Sequence, residues 1–218
     1  KDQVYKGLEG STPLTDAAIK ATSGVVMTHS GDFIIAYYHS TCGGKSETLA
    51  TWNRPNLPYL KSSPDLRPDG TPWCNESSYM KWERKFSDKE IVSLFKSNLK
   101  ETKAKFSSGN GSDFKKIKDI SIIDSLGSGR ILTLRVKTDK GHFDVLTDKT
   151  RWLFKKAGSI LPSSLIAVKH EWVVTGSGFG HGVGMCQMGV RARAQAGQSF
   201  QEILKHYYPG ITLEKYSR

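Results

Sequence analysis

The sequence predicts an α+β fold: a mostly antiparallel β core with a few helices and an inserted subdomain built from a helix and a β-meander. Three observations carry that prediction. Alternating apolar and polar residues mark strands at 117–124 and 130–137, joined through Gly127-Ser128-Gly129. Two earlier runs, 24–28 and 31–38, read as strands meeting at the turn His29-Ser30-Gly31-Asp32. Two capping boxes, Ser87-Asp88-Lys89-Glu90 and Ser199-Phe200-Gln201-Glu202, open helices, because each serine and glutamate can satisfy the other's orphan backbone amide.

Taken in order, residues 1–40 are β-rich, with a short helical turn over Asp16–Thr22. The strand 31–38 runs straight into a polar loop, His39-Ser40-Thr41-Cys42-Gly43-Gly44-Lys45-Ser46-Glu47. From Trp52 to Asn75, the prolines 55, 58, 64, 68 and 72 exclude regular helix and predict an extended, turn-filled segment. The helix opened at Ser87 runs to about Lys100 with Ile91, Leu94, Phe95 and Leu99 on one face. A flexible break over Ser107–Ser112 precedes the meander, whose last strand, 142–146, follows the turn Asp139-Lys140-Gly141. Residues 76–165 therefore read as an insertion within one domain spanning 1–218. A strand over 165–174 leads to a Gly-rich stretch, a helix from about Gly184 to Ala196, and a last helix ended by Pro209-Gly210.

The chain has 218 residues, enough to bury a sound core, and 37% hydrophobic content with a mean hydropathy of −0.43 marks a globular protein. No apolar run reaches the roughly 18 residues of a membrane span, and Lys1–Tyr5 lacks the apolar heart of a signal peptide. Lys and Arg number 32 against 21 Asp and Glu, a net charge of +11, which favours an acidic partner. Nucleic acid, an anionic membrane face and an acidic cell-wall polymer all qualify by charge. No RNA-recognition, zinc-finger or homeodomain pattern is present, so nucleic acid is not the expected partner. The basic runs at 81–85, 115–118 and 151–156 are interleaved with apolar residues, as on a solvated amphipathic face.

Chemistry is expected in two loops. Residues 177–189 hold five glycines in thirteen positions, a density that signals positive φ and close backbone approach at the entry to a helix. Residues 39–47 share their makeup of His, Cys, small polar residues and paired glycines. If the loops meet, they form a groove with two imidazoles, several hydroxyls and free amides, in which Glu47 is the carboxylate placed for general acid work. Cys186 near a helix N-terminus with His181 as base would instead suit thiol nucleophile chemistry. Cys42, Cys74 and Cys186 leave open one disulfide plus a thiol, three free thiols, or a zinc site of three cysteines completed by His39 or His181.

The motifs at 37–47, Leu57-Pro58-Tyr59-Leu60, 178–189 and Ile203-Leu204-Lys205-His206-Tyr207-Tyr208-Pro209-Gly210 resemble, in order, those of the stage II sporulation protein D family, also described as amidase enhancers. The resemblance runs from about Gln3 to the C-terminus. It implies an extracytoplasmic peptidoglycan lytic transglycosylase that cuts MurNAc-GlcNAc β-1,4 bonds of peptide-stripped glycan strands, leaving 1,6-anhydroMurNAc. The alternative it carries is a non-catalytic glycan-binding module that recruits or activates a cell-wall amidase. His39, Ser40, Thr41, Gly43, Gly44, His181, Gly182 and Gln187 would contact the glycan, with Glu47 as stand-in acid. No cofactor is required, and zinc at Cys42, Cys74, Cys186 and His181 is a further possibility. The family's acid lies in a Glu-Met-Pro motif upstream of the part resembling Gln3-Val4-Tyr5-Lys6-Gly7, so that segment is expected to precede or accompany this chain. Cys42 and Cys186 stand where many members carry serine; paired cysteines in both motifs suggest that the loops meet, and a Cys42 disulfide to Cys74 or Cys186 fits an oxidising exterior.

Overall fold

A computed structural model describes residues 7–107 and 111–216. The expected motif at Gln3-Val4-Tyr5 and the centre of the 107–112 break lie outside the described residues. In chain order the elements are α1 (Pro13–Thr22), β1 (Val25–His29), β2 (Asp32–Phe33), β3 (Tyr38–His39), β4 (Trp82–Lys85), α2 (Asp88–Thr102), β5 (Lys105–Phe106), β6 (Ile117–Ser125) and β7 (Ile131–Thr138). They continue with β8 (Gly141–Leu146), α3 (Thr150–Leu153), β9 (Ile166–Lys169), β10 (Val173–Gly176), β11 (Met185–Cys186), α4 (Gln187–Gln195), α5 (Phe200–Tyr207) and β12 (Thr212–Lys215). The fold is α+β, and its sheets are mostly antiparallel.

The chain gathers into two compact units, one of residues 1–35 with 210–218, the other of residues 36–209. In the first, β1 pairs antiparallel with β12 on one edge and with β2 on the other. Thr12 caps α1 in a reciprocal box with Thr15, a signal of the same kind as the serine boxes but unread in the sequence. The strand expected over 31–38 is not continuous. Only Asp32 and Phe33 pair with β1; after Ile34 the chain leaves that sheet, and Tyr38-His39 forms β3 in the other unit.

In the second unit α2 forms as its capping box requires, with Ser87 and Glu90 satisfying each other's amides. The predicted face of α2 is the buried one: Ile91, Phe95 and Leu99 pack into a core with Phe86, Phe114, Phe143 and Phe154. The meander closes as a four-stranded antiparallel sheet in the order β5-β8-β7-β6. This sheet and helix correspond to the insertion expected at 76–165, but they share their core with Ile166 and Val174, and β4 pairs with β10. The packing therefore reaches past residue 165.

The strand expected over 165–174 is a hairpin. Glu171 and Trp172 take left-handed backbone angles, φ 58° and 52°, so β9 turns back and pairs antiparallel with β10. No glycine or proline announces that turn, and the Trp172 indole fixes it by donating to Asp88 Oδ1 at 2.6 Å. The helix expected from Gly184 begins at Gln187, because Met185-Cys186 first pair as β11 and Cys186 then caps α4.

Phe95 is fully buried and stacks edge-on to Phe154 with centroids 4.9 Å apart. Phe95→Ala is expected to cost about 3–5 kcal/mol, read as a lower urea midpoint with an unchanged denaturant slope.

Candidate functional site

The two glycine loops do meet. β3 and β11 pair in parallel, Tyr38 beside Met185 and His39 beside Cys186. The contact continues as backbone bonds from Thr41 N–H to the Phe179 carbonyl at 3.0 Å and from Glu47 N–H to the Gly182 carbonyl at 2.8 Å. Such close approach needs glycine: a Cβ on Gly178 would stand 2.8 Å from the Thr41 carbonyl oxygen, and φ there is 88°.

Beneath the loops lies a residue that sequence reasoning missed. Arg130, just before β7, is fully buried, and its guanidinium donates to the carbonyls of Cys42 at 2.7 Å and Lys45 at 3.0 Å. A Cβ on Gly182 would overlap that guanidinium. The turn before Arg130 is clasped to the same loop: Ser128 N–H donates to Glu47 Oε2 at 3.0 Å, and Lys45 Nζ donates to the Gly127 carbonyl. A polar Gly-Ser-Gly hairpin turn reads as a loop; only the fold gives it this task.

Glu47 is 2% exposed. Its carboxylate accepts from Thr48 N–H at 2.7 Å, the Thr48 hydroxyl at 3.1 Å and Ser128 N–H. Of the expected glycan contacts, His39, Thr41 and Gly182 are buried, Ser40, Gly43, Gly44 and His181 are half-buried, and Gln187 at the start of α4 is exposed. The Thr41 hydroxyl is shared with Ser77 at 2.7 Å.

A file of rings runs from the half-buried Tyr37, Trp52 and His181 inward to the buried His39. Tyr37 packs on Trp52 with centroids 5.5 Å apart, Trp52 on His181 at 4.7 Å, and His181 on His39 at 5.7 Å. Tyr37 and Trp52 open onto a cavity of about 550 Å³ completed by Arg54, Lys103, Thr147, Asp148, Lys149 and Trp152. Asp148 is tied to Arg151 at 3.2 Å, and Lys149 lies 4.9 Å over the Trp152 ring.

Burial drives both imidazoles to the neutral state. Loss of hydration, reinforced by the Arg130 charge, lowers His39 to about 3, and loss of hydration lowers His181 to about 4 against the attraction of Asp148. His181 Nδ1 accepts the Val183 N–H at 3.0 Å, so the ring is held by backbone and presents its face to Trp52. Hydrogen bonding with Cys42 favours the Cys186 thiolate, but Cys74 and burial outweigh it and push this thiol up to about 12. That is the reverse of what a thiol nucleophile requires.

All three cysteines are buried, and Cys42 Sγ and Cys74 Sγ lie 3.4 Å apart. Beside them Asp65 anchors the C-terminal helices. It binds Arg193 at 2.8 Å and accepts from the Tyr207 hydroxyl at 2.8 Å, with His206 Nε2 3.4 Å away. Burial alone would raise this carboxyl, but bonds from His206, Arg193 and Tyr207 overcome that and hold it at about 2.

Residues 69–184 match a family described as a domain of unknown function, DUF8618. The amidase enhancer of Bacillus subtilis (strain 168) is 29% identical over 244 residues, covering 98% of this chain and 34% of its own length. The stage II sporulation protein D of Bacillus amyloliquefaciens is 28% identical over 205 residues, 91% of this chain and 50% of its own length. The chain belongs to the stage II sporulation protein D family and carries the DUF8618 domain. An uncharacterized protein of Brachyspira hyodysenteriae is also similar, 26% identical over 223 residues, all of this chain and 53% of its own length. The chain thus spans a third to about half of the length of these curated relatives.

Two outcomes test the site's construction. The histidine values lie below the ordinary 6.5, so between pH 6.5 and about 4 the unfolded chain takes up protons that the folded chain refuses. Stability is therefore expected to be full above pH 6.5 and to fall steadily as pH drops through that window. Below pH 3.8, protonation of Asp65 adds a further loss. Urea midpoints measured from pH 7 to 4 should show this slope, and His181→Gln should make it shallower. Gly182→Ala should cost about 3 kcal/mol, from left-handed strain plus overlap with Arg130, measured by the same titration at pH 7.

Proposed function

We propose that this chain grips peptide-stripped peptidoglycan strands at the ring file beside His181. It would be the substrate-holding domain of a lytic transglycosylase that cleaves MurNAc-GlcNAc β-1,4 bonds with formation of 1,6-anhydroMurNAc. The observation that carries the reading is the cavity in which Tyr37, Trp52 and Trp152 stand beside Arg54, Lys103 and Lys149. Sugar rings offer C–H faces that pack on indoles. A strand freed of its peptides also carries a lactyl carboxylate on each muramic residue, which ammonium and guanidinium groups meet directly. The net charge of +11 adds attraction at longer range. The relatives' names, an amidase enhancer and stage II sporulation proteins D, are in keeping with a cell-wall role in sporulation, and a chain acting on that polymer would work outside the cytoplasm.

The cleavage needs a carboxyl that protonates the leaving oxygen and then takes the proton of the C6 hydroxyl. We assign Glu47 a positioning role: its three donors and its burial suit it to holding the 127–130 turn, and through it Arg130, under the loops. The acid is expected in the family's Glu-Met-Pro segment. A second reading is the glycan-binding module that recruits a cell-wall amidase. It is favoured by the state of the carboxylate in the cavity, Asp148, which is paired with Arg151.

Binding of peptide-stripped glycan strands should weaken about tenfold in Trp52→Ala and should fall as salt is raised. Mass spectrometry of strands treated with the full-length protein should show 1,6-anhydro ends, with Glu47→Gln retaining cleavage within about tenfold. Hydrolytic reducing ends alone would sink the transglycosylase reading, and binding without turnover would leave the recruiting module.

A further inference from the structure

Cys42, Cys74 and Cys186 come from three separate segments, a glycine loop, the Pro-rich stretch and the cap of α4, yet their sulfurs share one buried spot. Cys42 Sγ and Cys74 Sγ are 3.4 Å apart. The ligand atoms of His39, Cys42 and Cys186 all lie within 4.8 Å of one another. Four ligands around a tetrahedral zinc, at about 2.3 Å for sulfur and 2.0 Å for nitrogen, stand roughly 3.5–3.8 Å from each other. His39, Cys42 and Cys186 are thus within about 1 Å of that spacing, and Cys74 joins them through its contact with Cys42.

His39 supplies the independent observation. The ring is 4% exposed, its Nδ1 lies 3.1 Å from the Val183 carbonyl, and its Nε2 is buried with no hydrogen-bond partner. Nδ1–H donating to a carbonyl leaves the lone pair on Nε2, which is how metal-bound histidines are commonly oriented by their surroundings. A buried ring nitrogen without a partner carries a desolvation cost that a ligand would offset.

Backbone amides are directed at two of the sulfurs. Cys42 N–H and Gly189 N–H point at Cys186 Sγ, at 3.2 and 3.4 Å, and Gly44 N–H points at Cys42 Sγ at 3.3 Å. The Arg130 guanidinium, bound to the Cys42 carbonyl, supplies buried positive charge. Asp65 Oδ2 lies 3.4 Å from Cys42 Sγ, but that carboxylate is already held by Arg193 and Tyr207. A disulfide between Cys42 and Cys74 would leave both Cys186 and the His39 nitrogen unused.

We propose that Cys42, Cys74, Cys186 and His39 bind one zinc ion in a closed, structural site of three sulfurs and one nitrogen that pins the two glycine loops and the Cys74 turn together. The set takes His39 rather than His181, whose Nδ1 is engaged by Val183 and whose ring lies against Trp52. Four protein ligands leave no open position, so the ion would shape the site without reacting. Thiolate-rich ligation with one imidazole suits zinc over magnesium, calcium or manganese. Binding releases the protons of those cysteines that enter as thiols.

The test uses the reduced, metal-stripped chain titrated with Co²⁺ and then Zn²⁺. One equivalent of Co²⁺ should give thiolate charge-transfer bands and the intense visible bands of a tetrahedral site, and one equivalent of Zn²⁺ should bleach them. Cys74→Ser and His39→Ala should each weaken zinc binding at least tenfold, while His181→Gln should leave it within twofold. Since cysteine variants can misfold, X-ray absorption on the zinc-loaded wild-type chain should independently show three sulfurs and one nitrogen. Failure of the reduced chain to hold one equivalent, an oxygen-rich shell, or native protein with a Cys42–Cys74 disulfide and no metal would each overturn the proposal.

Discussion

A guanidinium with no access to water lies under two glycine loops, and the rest of the site depends on keeping it satisfied. Arg130 cannot lose its proton, so burial has to be offset by fixed oxygen atoms and nearby negative charge. The carbonyls of Cys42 and Lys45 meet its two terminal nitrogens, while Nε is buried without a partner, and Glu47 supplies attraction from nearby. Those carbonyls point inward only while residues 39–47 stay paired with residues 179–186, and Gly182 leaves the space that the guanidinium fills. The arrangement is mutually conditional: the loops hold the arginine, and the arginine fixes the loops.

The same burial decides what the site can do. Dehydration keeps His39 and His181 neutral, three donors occupy the Glu47 carboxylate, and Arg151 occupies Asp148. What remains open to solvent beside the rings is cationic: Arg54, Lys103 and Lys149. Such a surface pairs aromatic faces with positive charge, the ground for the proposed glycan contact, and offers little for moving protons.

A second polar anchor ties the C-terminal helices to this arrangement. Asp65, from the Pro-rich stretch, draws in Arg193 from α4 and Tyr207 from α5, and Gly189 leaves room for the tyrosine hydroxyl. A buried ion pair of this kind contributes little net stability compared with an apolar substitute, but breaking one partner is costly. Its effect is to fix the position of the α4 N-terminus, and therefore of Cys186 beside Cys42.

The sequence by itself determined the elements whose signals are local. Capping boxes at Ser87 and Ser199 set two helix starts, alternation set β6 to β8, and glycine density marked both loops, because each signal is written within a few residues. The family motifs likewise lay in the residues as written. What only the tertiary structure decided involves partners far apart in the chain. The break of 165–174 at Glu171-Trp172 is stabilised by Asp88, the short β2 ends where the chain changes sheet, and a plain hairpin turn carries Ser128 to Glu47 and Arg130 to Cys42. Trp52 and Lys149 carry no motif in the sequence and become a cavity only when the segments that carry them pack together. Burial is likewise invisible to spacing: it turned His39 from an expected glycan contact into an interior ring with an unpartnered nitrogen, because desolvation belongs to the fold and not to the residue.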